Sequence, residues 1–229
     1  MLYDIYHEVF VLGFITLMNN LIPIMKAIIT QSLSQSFTYA DYKNYVTKLI
    51  GEGLSTGHEQ RPDLLHYSEL NEVRMNRLDK TIKIAVENIQ KLESLQREYI
   101  WLVISEGWCG DAAQILPIIH KMTEITNKIE LKIVFRDDNE DLMNLFLTNG
   151  TKSIPKLIII DKNTLEVLGD FGPRPKGAIR LMLDYKAKHG TIDETAKTNL
   201  QLWYLHDKGL STQNEIMDAM MNRKIILKH

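Results

Sequence analysis

The apolar and polar positions of this chain fall into two textures that meet at Tyr99. Before it, amphipathic helical spacing dominates. Thr38 is placed as the N-cap of a helix over 39–50 that stops at Gly51 and Gly53. Residues 51–63, with three glycines and Pro62, read as a loop, and 64–77 and 79–96 as helices. Leu78, Ile82, Ala85, Ile89 and Leu92 recur at intervals of three and four, which marks one buried stripe. Lys80, Lys83, Glu87 and Lys91 lie off it, as a solvated face.

From Tyr99 onward, short strand-like runs alternate with helical ones. Residues 99–104 are a continuous apolar run, followed by a helix over 111–126, a strand over 131–135, a short helix over 141–147, and strands over 156–160 and 165–168. Asp161-Lys162-Asn163 forms a tight turn between the last two, and a helix over 176–188 closes before Gly190. This order predicts an α/β arrangement in which the first two strands are parallel and the last two form a hairpin. Two more helices, over 198–208 and 211–223, are separated by Gly209. The chain thus divides into an apolar leader and linker over 1–36, a helical extension over 37–98, an α/β domain over 99–190 and a helical tail over 191–229.

The leader is interrupted rather than continuous. Residues 10–18 are apolar apart from Gly13 and Thr16, but Asn19, Asn20, Pro23 and Lys26 break the run that follows. A bilayer-spanning helix needs about 20 uninterrupted apolar residues. A secretory signal needs a basic start, whereas Asp4 and Glu8 precede this run. The segment reads as a loosely attached helix, or as residues upstream of a start at Met18 or Met25. A membrane tether through 9–29 is the weaker alternative, and a cytoplasmic location is expected. Residues 31–36 are a polar, serine-rich linker.

Composition narrows the classes. Of 229 residues, 27 are Lys or Arg and 29 are Asp or Glu, so the net charge of -2 offers no basic field for nucleic acid and no polybasic membrane patch. The single cysteine excludes a disulfide framework and a cysteine-rich zinc site. His58, His66, His189 and His206 have no metal-ligand spacing, so neither a metal nor a cofactor is expected.

That cysteine, Cys109, follows the first strand and opens a helix. Helix N-termini carry unpaired N–H groups and partial positive charge, which favour a thiolate. Two readings stand side by side: a monothiol nucleophile, and an inert residue on a fold used for binding. Asp111 either opposes the thiolate as a like charge or serves as an ordinary first-turn acid. His120 lies eleven residues on, roughly 16 Å along a helix, too far to pair with the thiol. Arg136 follows the end of the second parallel strand, on the sheet edge where such folds bind ligands, and could stabilise a thiolate or hold a carboxylate. Its alternative is an ion pair with Asp137, Asp138 or Glu140. Arg174, between Pro173 and Pro175, is a second rim cation of the same kind. Trp108 either packs or offers a flat docking surface.

Trp108-Cys109-Gly110-Asp111-Ala112, Pro117 eight residues beyond the cysteine, Ser153-Ile154-Pro155 ahead of an apolar strand, and a loop at 169–175 before a helix occur in this order. The pattern resembles the thioredoxin superfamily, whose signature is Trp-Cys-Gly-Pro-Cys. More narrowly, Glu106 to Gln114 with the helical leader resembles a bacterial group of thioredoxin-like proteins without a settled function. The resemblance implies a central mixed sheet flanked by helices. It also implies a cis Pro155 packed against Cys109 and a peptide-docking groove of Trp108, Ile154 and Pro155, with Gly110 and Asp111 among the substrate-binding residues beside it. Ala112 replaces the resolving cysteine and Val103 the buried acid found in many members. Ordinary dithiol activity is therefore not expected. The readings that follow are single-thiol exchange with a protein or small-molecule thiol or disulfide, and a non-catalytic binding fold. Oligomeric state is unread.

Overall fold

A computed structural model describes residues 21–221. The apolar stretch over 10–18, and the end of the helix expected over 211–223, lie outside these residues. Among the described residues no helix is long and apolar enough to cross a membrane.

The chain runs through a helix over 21–34 (α1), then α2 (Tyr39–Gly51), α3 (Pro62–Thr81) and α4 (Val86–Glu93). Next come β1 (Tyr99–Ser105), α5 (Gly110–Thr123), β2 (Ile129–Phe135), α6 (Glu140–Leu145), β3 (Lys156–Asp161) and β4 (Val167–Phe171). It ends with α7 (Lys176–His189), α8 (Glu194–Asp207) and α9 (Leu210–Met221). The sheet order is β2-β1-β3-β4. β1 and β2 are parallel, while β3 pairs antiparallel with both β1 and β4. This is the expected mixed sheet between helices, with further helices before and after it.

Local chemistry sets most boundaries. Thr38 caps α2, its hydroxyl accepting from the Asp41 N–H and donating to the Asp41 carboxylate. Pro62 opens α3, where its missing N–H leaves no bond unmade. Asp161 Oδ1 accepts from the N–H groups of Asn163 and Thr164, which folds the β3–β4 turn. Leu165 sits in that turn at φ 56, so β4 starts later than the apolar pattern indicates.

Two expectations are corrected. The serine-rich linker is helical as far as residue 34. Ile29 and Ser32 are buried there, and Ser34 bonds back to the Gln31 carbonyl, so packing overrides composition. The stripe from Leu78 to Leu92 is not one helical face, because the chain is extended between Thr81 and Val86. The tail supplies the backbone partners lost there. Gln213 on α9 accepts from the Ala85 N–H at 2.9 Å and donates to the Lys83 carbonyl at 3.0 Å.

β1 is buried along nearly its whole length, with Trp101, Leu102, Val103 and Ile104 at 0% exposure. One continuous core joins it to α1 through Ile29 and to α9 through Ile216 and Met217. Phe37 pairs with Ile133 through two backbone bonds and so covers the outer edge of β2. On the opposite edge α9 packs against β4. There a Cβ on Gly169 would lie 2.5 Å from the Ala219 carbonyl oxygen, so only glycine lets the helix approach so closely.

Candidate functional site

The parallel pairing of β1 and β2 sends both strand ends to one edge of the sheet. β1 ends at Ser105, and the loop Glu106–Trp108 carries the chain to Cys109, the N-cap residue of α5. Helix α3 holds this loop, because the Asn71 side-chain amide donates to the Gly107 carbonyl at 3.0 Å. The Gly107 N–H donates to Thr56 Oγ1 at 2.8 Å.

Cys109 is 7% exposed, and its thiol donates to the Ile154 carbonyl at 3.4 Å. The Ile154–Pro155 peptide bond is cis, as is Gly172–Pro173. Both Ile154 and Pro155 are buried. Gly172 follows β4 directly at φ 122, and a Cβ there would lie 2.2 Å from the Pro155 carbonyl oxygen. The Pro155 and Pro173 loops therefore pack backbone to backbone.

The electrostatics oppose the thiolate. Burial, and after it the Asp111 carboxylate, push the Cys109 thiol up to about 12. The peptide N–H groups of Ala112 and Asp111 and the Arg174 guanidinium pull the other way with less effect. Helix-terminus stabilisation of the thiolate is thus present and outweighed by desolvation.

The rim residues separate into two groups. Asp111, 8% exposed, accepts from Arg174 at 2.7 Å on one oxygen and from the Tyr204 hydroxyl at 2.8 Å on the other. It opposes the thiolate as a like charge, and it is at the same time a buried anchor for the last loop and the tail. Arg136 is paired with its sequence neighbour. Its guanidinium donates to Asp137 Oδ1 at 2.8 Å and lies 5.0 Å from the Trp108 ring centroid. The ion-pair alternative is what the structure contains. Trp108 is half-buried and remains accessible on the surface beside Cys109. Gly110 lies against α3 and α8, with Arg74 and Gln201 each 3.9 Å from where its Cβ would be. His120 stacks on Tyr39 at 4.1 Å, in a packing role.

Asn71 and Tyr204 carry no sequence signal for the site, since a lone amide or phenol has no period or spacing to mark it, and Glu106 stands in the matched stretch with no role read for it. Glu106 is fully buried beside the loop, accepting from the Asp137 N–H at 3.1 Å, and burial raises its carboxyl to about 7. Among the described residues no cluster of His, Cys, Asp and Glu is arranged to hold a metal.

Comparison with known proteins adds the following. A family model described as Thioredoxin matches residues 57–190, over half of the chain. The match begins before α3, so it takes in α3 and α4 as well as the sheet. A crystal structure of an HIV epitope-scaffold is similar at 20% identity and TM-score 0.50, over 81% of this chain and 98% of that one. A protein of unknown function from Pseudomonas aeruginosa is similar at 21% identity and TM-score 0.45, over 74% and 98%. A search of the curated proteins gave no match.

Proposed function

The chain belongs to the thioredoxin family, and on that premise we propose that it is a single-thiol member in which Cys109 exchanges with a protein or small-molecule disulfide, serving cell redox homeostasis. The observation that carries this reading is the position of Cys109. It caps α5 with its sulfur 3.4 Å from the carbonyl that precedes the cis proline. Trp108 is the accessible part of the surface on which an extended partner would dock, and Ile154 and Pro155, buried in the described conformation, would join it as the thiol leaves the Ile154 carbonyl.

The chemistry is exchange without net oxidation. Cys109 loses its proton to water, and its sulfur attacks one sulfur of the disulfide. A mixed disulfide forms and the other half leaves as a thiolate. Ala112 stands where a resolving cysteine would be, so a second, external thiol must attack the mixed disulfide and return Cys109 to its reduced state. A reducing compartment such as the cytoplasm suits a lone thiol used in this way.

At pH 7 a thiol raised this far is almost wholly protonated. Exchange from the described conformation is therefore slow and needs the site to open. The same burial favours a second reading, a recognition domain in which Cys109 is structural.

Incubation with glutathione disulfide at pH 8, followed by intact-mass measurement, separates the two. Single-thiol exchange gives one adduct that added thiol removes and that Cys109→Ser does not form. A native chain that takes no adduct, but forms one in urea, leaves only the recognition domain.

A further inference from the structure

Helices α3 and α8 both touch α5 and leave a cleft between them. Its larger part, about 520 Å³, has Gln114 and Ile118 of α5 as its floor and Leu78 and Leu205 as apolar walls. It continues past Arg77 into a second hollow of about 320 Å³, lined by Arg74 and Gln201, the two residues that reach Gly110. Each part falls in the size range of small-molecule sites.

The charge of the cleft has one sign. Arg74 and Arg77 on α3, Lys83 after it and Lys208 at the end of α8 all line it. Among the described residues none of the four is in an ion pair, and no Asp or Glu lines either part. Arg74 is half-buried, with the neutral Asn71 amide oxygen as its acceptor at 2.7 Å. Burial, and Arg77 one turn away, hold its guanidinium below the usual value. A half-buried guanidinium without a carboxylate is costly, and a bound anion would offset that cost.

We propose that this cleft binds a small amphipathic carboxylate, with its charged head on Arg74 and Arg77 and its apolar body against Leu78, Ile118 and Leu205. The head matches the planar donors of two arginines, which suit a carboxylate better than lysine does. Lys83 and Lys208 keep the far mouth positive. The site is built by the helices around the sheet and requires no reaction at Cys109.

Calorimetric titration of the full chain with octanoate tests this, with octanol and octyltrimethylammonium as neutral and cationic controls. Octanoate is expected to bind saturably, more weakly at high salt, while the controls do not bind. Arg77→Gln, at an exposed position, is expected to weaken binding about tenfold, and Arg74→Met to do the same. Cys109→Ser should bind as the native chain does, which separates this site from thiol exchange. Absence of saturable binding up to millimolar octanoate, octanol binding as tightly as octanoate, or unchanged affinity in Arg77→Gln would each overturn the proposal.

Discussion

The Tyr204 hydroxyl donates to Asp111 Oδ1 at 2.8 Å, which ties α8 to the first turn of the helix that begins at Cys109. Arg174 holds the other oxygen of the same carboxylate. Tyr204→Phe keeps the ring and removes only the bond, leaving a buried charged acceptor short of one partner. The expected cost is about 1–3 kcal/mol, read as a lower urea midpoint, together with faster alkylation of Cys109. An unchanged midpoint would show that the contact adds nothing.

Asp111→Asn removes the like charge that ranks second, after burial, in holding the thiol protonated. It also releases Arg174 from its carboxylate partner. Both changes favour the thiolate. The pH profile of iodoacetamide alkylation should move down by about one pH unit. A profile at the native position would mean that desolvation alone sets the thiol.

Glu106 makes stability depend on pH in a definite direction. Its carboxyl rises from the ordinary 4.5 to about 7 on folding, so the folded chain holds this proton more tightly than the unfolded one. The group's contribution is complete below pH 4.5 and is lost as pH rises through 7. Glu106→Gln cannot titrate. Its stability relative to the native chain should therefore climb between pH 4.5 and pH 8, by about 3 kcal/mol in the limit. Urea unfolding across that range checks it, and a constant difference between the two proteins would refute it.

Gly172→Ala places a methyl group 2.2 Å from the Pro155 carbonyl oxygen at a φ that side chains rarely adopt. The two proline loops would have to part. A loss of about 2 kcal/mol or more is expected in equilibrium unfolding. Cys109 should become more accessible to a thiol reagent as well, and full native stability would contradict the packing described.

The strand and helix order was legible in the sequence, because burial on a sheet or against a helix imposes periods that persist through a run of residues. The apolar run ending at Ile104 is of this kind, while the cap at Thr38 and the turn at Asp161 follow from side chains that bond to backbone two or three residues on. The break at 82–85 was not legible. It depends on Gln213, which is 128 residues from Ala85, and no local pattern encodes a hydrogen-bond partner that far away.

By itself, then, the sequence determined the elements, their order and the placing of a single thiol at a helix start, since those follow from side-chain periodicity and local capping. Only the tertiary structure decided the state of that thiol. Its protonation depends on how completely neighbouring segments exclude water, and on which charges they bring close. Asp111 is an anchor because α8 and the last loop bring Tyr204 and Arg174 to it, and Arg74 meets the Asn71 amide rather than a carboxylate.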